Sequence, residues 1–385
     1  MREKLYIIIL LISISPNILA SENKSISGKL RTEFFAVDNY NSNNRQEEFK
    51  TYYNRTKLSL KAHLTENLSL NNITRISEMR QNSEDIKRSS SENGSGTRSF
   101  ENHGVFLDRL YFKYQKNNFN LFAGKKTLNF GQAWQRDNYS WIFNKPLQYY
   151  RFDEKFALAT ALKGGKATGN GKYILTFGTY FNDDKYLDNS IITKRDYINN
   201  YTLDSGNDKS LLASYYTSLD INYDFGSKEL LSYHFAYVKS AINERRSNLE
   251  RSQISDQKSY NANIKYQIPI TDNIIPKIFI EYAFLDNFRG NNLTDAHLLT
   301  RYIALNLYQN YSLTYTIYNV KYLELANNGL DESVNKIFLG YQFNKNHILD
   351  GFSTYIGYAR EKIDEKITNQ ETEAAILYLK YEIEF

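Results

Sequence analysis

The chain has 385 residues, a formal net charge of +5 and no cysteine, and 15% of its residues are aromatic. The lack of cysteine excludes disulfides and thiolate metal sites. Beyond residue 20 there is no run of about 20 apolar residues, which excludes a membrane-spanning helix in that part. A mean hydropathy of −0.59 is compatible with a membrane β-barrel, because only alternate residues of each strand need to be apolar.

The first twenty residues have the pattern of a secretory signal peptide. Arg2 and Lys4 precede an apolar run at 5–11, and Ala20 offers a cleavage point before Ser21. We therefore predict a removed signal peptide over 1–20 and a single exported domain over 21–385.

Apolar and polar residues alternate through most of the remaining chain, the period of a strand with one face in water. The alternation is clearest over 259–268, where Tyr260, Ile264 and Tyr266 share one face. It predicts sixteen strands, at 26–37, 50–63, 68–77, 103–115, 119–129, 154–163, 171–182, 209–224, 229–241, 257–268, 275–286, 297–308, 311–323, 333–343, 351–361 and 372–385.

The predicted connections alternate between short and long. Short ones fall at 65–67, 116–118, 226–228 and 309–310, and long ones at 78–102, 130–153, 183–208, 242–256, 287–296 and 362–371. This asymmetry is typical of all-β antiparallel transmembrane barrels with short periplasmic turns and long extracellular loops. A further strand pair within 183–208 would raise the strand number from sixteen to eighteen. The predicted location is the bacterial outer membrane, in contact with its lipid and lipopolysaccharide.

The last strand carries a specific pattern at its end. Tyr381, Ile383 and Phe385 share an apolar face, while Glu382 and Glu384 lie on the other. A terminal aromatic residue after alternating apolar positions resembles the signal that the barrel-assembly machinery recognises, so this machinery is an expected partner. The alternative is an ordinary terminal strand of a secreted β-protein.

The histidines give no indication of an enzyme. No two of the five histidines have the spacing of a metal-ligand pair; they are His63, His103, His234, His297 and His347. We predict turn or loop-side positions for most of them. The sequence therefore predicts no enzyme, no metal and no cofactor. Nucleic-acid binding is also excluded, because the basic residues are spread over strands of an exported protein.

Charged residues on alternate positions predict the lumen face. A charge on the lipid face would cost about 2–4 kcal/mol near the midplane, so such residues are expected to point inward. They are Lys29, Arg31, Arg55, Lys57, Arg109 and Lys113. Residues 21–165 hold 23 basic and 15 acidic side chains, against 23 and 27 in 166–385, which predicts one basic wall. Such a wall attracts anions, or is braced by acidic neighbours.

A stretch after the fifth predicted strand carries a family resemblance. It runs from Gly124 and Lys125 through Gly131 and continues with Trp134, Arg136, Asp137, Trp141, Arg151 and Asp153. The order of these residues resembles the alginate-export family of outer-membrane barrels, although Lys125 and Lys126 replace the family's Arg and Gln. The resemblance implies a monomeric barrel, usually of eighteen strands, whose Arg-lined lumen conducts an anionic polysaccharide.

The residues of this stretch also support a constriction. Gly124 and Gly131 allow a bend where a loop folds inward, and the charged residues after them can pair across the lumen, for selectivity or for bracing alone. Three functions follow as hypotheses. The first is a porin-like channel for small hydrophilic, anionic solutes. The others are a dedicated exporter or importer of an acidic polysaccharide such as alginate, and a non-conducting surface adhesin.

Overall fold

The computed structural model describes residues 26–43, 48–78, 96–99, 103–133, 152, 155–166, 168, 171–182, 213–241, 254–308, 310–324, 330–343, 350–364 and 369–385. These residues form a closed antiparallel β-barrel. Within the described ranges no helix has the length and apolarity to cross a membrane. The predicted signal peptide over 1–20 lies outside them.

Seventeen strands belong to one sheet, and sixteen of them form the barrel wall. The strands are β1 (Ile26–Ser42), β2 (Phe49–His63), β3 (Leu68–Glu78), β4 (Gly96–Ser99), β5 (His103–Lys116), β6 (Phe119–Lys126), β7 (Lys155–Lys166), β8 (Gly171–Asn182), β9 (Tyr215–Gly226), β10 (Glu229–Ser240), β11 (Gln257–Gln267), β12 (Ile274–Asp286), β13 (Thr294–Leu307), β14 (Tyr311–Glu324), β15 (Leu330–Gln342), β16 (Phe352–Asp364) and β17 (Asn369–Glu384). The short β4 lies in the β3–β5 connection and pairs parallel with the start of β2.

Each of the sixteen predicted segments corresponds to one wall strand, so the predicted fold class is confirmed. The strand number is sixteen, because β8 pairs directly with β9 and no further pair separates them in the wall. Two connections predicted to be long are short. Strand β13 begins at Thr294, and only 365–368 separate β16 from β17. That prediction was wrong because polar residues continue the pairing beyond the apolar positions, as between Asp364 and Asn369.

The barrel has a turn end and a loop end. The turn end carries the connections 64–67, 117–118 and 227–228 together with both ends of the barrel sequence, and the loop end carries the connections between β6 and β7 and between β8 and β9. At the turn end the Gly28 amide donates to the Phe385 carbonyl at 2.7 Å, and the Phe385 amide donates back at 2.9 Å. The pairing of β17 with β1 therefore closes the barrel up to its last residue.

Large apolar side chains are exposed over the outer face of the wall. They include Leu158, Phe177, Phe235, Ile264, Ile280, Ile303, Leu339, Ile356 and Leu379. Aromatic rings border this surface at both ends. At the loop end Tyr237 lies 5.2 Å from Tyr260, and at the turn end Phe352 lies 4.6 Å from Tyr381.

Gly124 is required where β6 passes β5. Its φ is +129°, and a Cβ there would lie 2.4 Å from the Leu110 carbonyl oxygen and 2.9 Å from the Tyr111 Cα. Both are backbone atoms, so Gly124→Ala is expected to lower the free energy of unfolding by about 1–3 kcal/mol. Urea titration of the barrel in lipid vesicles measures the loss. Gly226→Ala is the control, because Gly226 also has positive φ but nothing within 4 Å of a Cβ; equal losses in both variants would contradict the steric explanation.

Candidate functional site in the barrel lumen

After Lys126 the chain leaves the wall and enters the lumen. We call residues 127–133 the inward segment. The Leu128 amide donates to the Phe152 carbonyl at 2.9 Å, and the Phe130 ring meets the Phe152 ring edge-on at 5.1 Å. The prediction that a strand continues to residue 129 was wrong, because Leu128 and Phe130 are buried inside the barrel rather than placed on its wall. Burial of each apolar side chain contributes roughly 1.5–3 kcal/mol, which stabilises this inward course.

Small side chains on the inner wall leave space for the inward segment. Ala157 and Ala159 on β7, Ala236 on β10 and Ala283 on β12 belong to the same buried cluster as Leu128, Phe130 and Ala133. The wall opposite the first strands is therefore apolar where it meets the segment.

Four polar residues on adjacent strands cross this apolar wall, and we call them the polar row. Asp220 on β9 pairs in register with His234 on β10. His234 pairs in turn with Asn263 on β11, and Asn263 pairs with Glu281 on β12. Because they are paired in register on neighbouring strands, all four side chains point to the inner face and form one continuous row across it.

The inward segment is hydrogen-bonded to both carboxylates of the polar row. Asp220 accepts from the side-chain amides of Asn129 at 2.8 Å and Gln132 at 3.0 Å. Glu281 accepts from the backbone amides of Gln132 at 2.6 Å and Ala133 at 3.0 Å. The segment thus spans the inner face from β6 to β12 and is anchored there.

His234 completes the polar row and is fully buried. Its Nδ1 lies 2.8 Å from Asp220 Oδ1 and its Nε2 lies 2.6 Å from the Phe130 carbonyl oxygen. The prediction of turn or loop-side positions for most histidines was wrong, because His63, His103, His234 and His297 all belong to strands; His347 lies outside the described residues. In the described part of the chain no three metal-ligating side chains are grouped.

A second polar site braces the opposite part of the wall. Glu33 is fully buried, forms ion pairs with Arg31 and Arg55, and accepts from the Tyr378 hydroxyl at 2.6 Å. The Phe35 ring stacks beside it on Tyr378 at 4.6 Å. Two of the predicted lumen cations, Arg31 and Arg55, therefore share one carboxylate as their ion-pair partner.

Five basic residues on β2, β5, β6 and β7 form a column on the inner face, which we call the cation cluster. Its members are Lys61, Arg109, Lys113, Lys126 and Lys163, and they are close enough to repel one another. Lys126 lies 4.2 Å above the Phe122 ring, directly before the inward segment. Among the described residues no carboxylate lies within 4.0 Å of these five side chains, in contrast to Lys29, whose Nζ is 2.7 Å from Glu382. The column runs from the inward segment towards the turn end.

The predicted site residues are thus distributed over three settings. Six of them lie on the inner face, namely Lys29, Arg31, Arg55, Lys57, Arg109 and Lys113. Lys125 is buried at the end of β6, and Gly131 is buried in the inward segment. The remaining residues of the family resemblance lie outside the described residues; they are Trp134, Arg136, Asp137, Trp141, Arg151 and Asp153. Tyr381, Ile383 and Phe385 face outward on β17 or at its end.

Sequence reasoning missed the polar row and two members of the cation cluster, Lys126 and Lys163, whereas the alternation in the second predicted strand places Lys61 on the lumen face with Arg55 and Lys57. Strand periodicity alone was sufficient to place Lys163 on the inner face. No sequence signal locates the polar row, because its members meet only when the register of four strands is known.

Closure, sixteen strands and an apolar outer face define the fold as a 16-stranded antiparallel β-barrel. Solved structures with this fold include OpdK of Pseudomonas aeruginosa with vanillate, with a TM-score of 0.52 and 9% identity over 94% of this chain and 99% of that one. The outer membrane channel DcaP of Acinetobacter baumannii has a TM-score of 0.56 and 12% identity, over 94% and 97%. OmpT, an outer-membrane protein of Vibrio cholerae, has a TM-score of 0.54 and 10% identity, over 95% of this chain and 100% of that one. At these identities the likeness concerns the fold alone; no family model and no curated protein matches the sequence.

Proposed function

We propose that the chain is an outer-membrane porin-like channel through which small hydrophilic anions diffuse. The cation cluster carries this proposal. Cations that have no carboxylate partner among the described residues raise the local concentration of anions in a polar lumen and lower the electrostatic barrier to their passage. The lumen is enclosed by one chain, which supports a monomer as the conducting unit.

The outer face supports residence in the outer membrane. Exposed apolar side chains bordered by aromatic rings at both ends fit a lipid bilayer with lipopolysaccharide in its outer leaflet. In this orientation the turn end is periplasmic, the cleaved signal peptide over 1–20 directs export, and the outward apolar face ending at Phe385 is what the barrel-assembly machinery reads.

The contacts in the lumen favour passive transport over catalysis. His234, which is the natural candidate for a general base, has both ring nitrogens occupied by Asp220 and the Phe130 carbonyl. Asp220 and Glu281 are likewise engaged with the inward segment. These groups are engaged in contacts that hold the inward segment, so the proposed function is non-enzymatic.

An acidic polysaccharide is the second candidate solute. The carboxylates of a uronate chain fit the cation cluster, and the stretch from Gly124 to Gly131 resembles the alginate-export family. Vanillate, the molecule present in the OpdK structure, is an aromatic carboxylate and motivates a third probe. Oligouronate, vanillate and chloride are therefore compared as blockers or carriers of the current in the same bilayer.

The charge of the cation cluster is expected to set ion selectivity. In the double variant Lys113→Glu with Lys126→Glu, two central cations become anions, so the chloride-to-potassium permeability ratio should fall by about threefold or more. The reversal potential of a planar bilayer in a potassium chloride gradient measures the ratio. Lys362→Glu makes the same type of change on the outer face near the loop end and should leave the ratio unchanged. A cation-selective wild type would overturn the proposed anion preference, and correctly inserted protein without conductance would favour an adhesin.

A further inference from the structure

We infer that a groove on the outer face of β13, β14 and β15 binds the phosphorylated sugar headgroup of an outer-leaflet glycolipid, with Arg301 and Lys321 as its phosphate ligands. We call this groove the outer groove. Lipopolysaccharide is the glycolipid of this class that the proposed outer-membrane location supplies. The inference therefore rests on that proposed location and not on conductance.

Arg301 and Lys321 are cations on the outer face of the wall. Arg301 is exposed and shares its face of β13 with the exposed Ile303, and across the register it pairs with Ile280, which is exposed as well. On β14 the exposed Lys321 follows the buried Val320, so its side chain also points outward. A cation on a lipid-facing surface is costly unless an anion compensates it.

Neither cation is compensated by the barrel itself. Over the described ranges no carboxylate oxygen lies within 4.0 Å of Arg301 or Lys321, and the Arg301 guanidinium donates instead to the side-chain oxygen of Asn319. Other outward lysines near the loop end have acidic partners. Lys239 Nζ is 2.9 Å from Asp256, and Lys258 Nζ is 3.8 Å from Asp286. Arg301 and Lys321 are therefore available to an external anion.

The outer groove lies beside these two cations. It has a cavity volume of about 430 Å³, and its lining includes His297, Asn319, Lys321, Asp331 and Ser333. This volume is in the range of sites for small molecules. The lining offers an ammonium group to a phosphate, and amide, hydroxyl and carboxylate groups to sugar hydroxyls. Its chemistry therefore fits a phosphorylated sugar.

The position of the outer groove fits a lipid headgroup. The His297 ring belongs to the aromatic border at the loop end, since it lies 4.8 Å from the Phe284 ring and its Nδ1 is 2.6 Å from the Tyr282 hydroxyl. Aromatic borders of membrane barrels lie at the level of the headgroups. Towards the turn end, β15 exposes Ile337 and Leu339, which can contact acyl chains. A polar groove above an apolar strip matches one lipid molecule.

The two free cations distinguish this part of the wall from its other parts. The outward residues of β8, at alternate positions from 173 to 181, carry no charge. At the edge of the outer groove, Lys362 and Asp364 pair with each other at 2.8 Å and add no net charge. A guanidinium binds phosphate through two N–H groups, and an ammonium binds it as a point charge. The outer groove should therefore select a phosphorylated glycolipid over its dephosphorylated form.

Titration of the purified barrel in detergent with lipid A, the phosphorylated lipid part of lipopolysaccharide, tests this selection. Native mass spectrometry counts the bound molecules and gives the dissociation constant, and dephosphorylated lipid A is the matched ligand. We expect one tightly bound lipid A, and about tenfold weaker binding without the phosphates because the charge-assisted hydrogen bonds are lost. Equal dissociation constants for the two lipids would overturn the inference.

A pair of double variants assigns the binding to the outer groove. Arg301→Ala with Lys321→Ala should weaken lipid A binding by about tenfold, whereas Lys239→Ala with Lys258→Ala should change it by less than about twofold. The second variant removes the same charge from the outer face near the loop end, so equal losses in both would indicate diffuse attraction and overturn the assignment. Heat-modifiable migration in gels shows that each variant is folded. Oligomers of the wild type that the first variant dissociates would show that a second copy occupies the groove, which also overturns the inference.

The outer groove and the channel can fail separately. Phosphate-dependent binding of lipid A by a barrel that shows no current in the bilayer leaves the groove in place and removes the channel. An anion-selective current from a barrel that does not bind lipid A removes the groove and leaves the channel.

Discussion

Replacement of Glu33 by alanine is expected to lower the free energy of unfolding by about 3–5 kcal/mol, the usual cost of breaking a buried ion pair. Glu33 is fully buried and is the shared partner of Arg31, Arg55 and the Tyr378 hydroxyl. Without it two guanidinium groups lie close together in a largely buried site, and both lose a charged hydrogen bond. Because β1, β2 and β17 meet at this site, the loss falls on the strands that close the barrel.

Urea titration of the folded barrel in lipid vesicles measures this effect. Glu384→Ala is the control, because Glu384 lies on the same inner face and pairs with Lys29 but its side chain is 75% exposed. An exposed pair contributes about 0–1 kcal/mol, so the control should differ little from wild type. Glu33→Gln retains acceptor capacity and should give an intermediate loss. If Glu33→Ala and Glu384→Ala are equally stable, the buried site does not brace the wall.

Replacement of Glu281 by alanine is expected to raise the single-channel conductance by about twofold or more and to add current noise, because the segment that narrows the lumen loses its far anchor. Glu281 is the only described side chain that accepts from the backbone amides of both Gln132 and Ala133. Removal of the carboxylate takes away the acceptor that these two backbone amides and the Asn263 side-chain amide share. The methyl group of alanine cannot replace it, so the segment is expected to sample positions away from β12.

Single-channel recording at fixed pH and salt measures conductance and open-channel noise. The control is Glu382→Ala, which removes a carboxylate from the inner face of β17, where the partner is Lys29 and not the inward segment. Both variants change the lumen charge by the same amount, so a simple electrostatic effect would appear in both. An increase confined to Glu281→Ala assigns the effect to the segment. Equal conductance in Glu281→Ala and wild type would show that the segment does not limit the current.

Strand positions were predictable because the bilayer and the lumen impose opposite chemistry on alternate residues. In β11 the apolar residues Tyr260 and Ile264 face outward, whereas Asn261 and Asn263 are buried on the inner face. The same reasoning placed Lys29, Arg31 and Arg55 inside, since a charge in lipid is costly. Periodicity therefore located the sixteen wall strands and the face of most of their residues, whereas the possible extra pair within 183–208 was excluded only by the pairing of β8 with β9.

The interior could not be predicted because it depends on contacts between distant residues. Gln132 and Glu281 are 149 positions apart in the chain and meet only across the lumen. The alternation of Leu128, Asn129 and Phe130 is also that of a wall strand, so periodicity cannot distinguish an extended segment inside the barrel from one within its wall. Whether Arg31 is a free cation or part of a buried ion-pair site depended on Tyr378 and Glu33, which the closing register brings together.

The seam between β1 and β17 has a consequence for the order of assembly. Lys29 and Glu384 are 355 positions apart and bind each other at 3.0 Å across this seam. All other neighbouring wall strands pair with the next strand in the chain, so hairpins can form locally and early, while the seam has the largest loop-closure entropy in the molecule. Folding of this barrel should therefore end with a single slow zippering step, before which two unpaired strand edges are open to other chains.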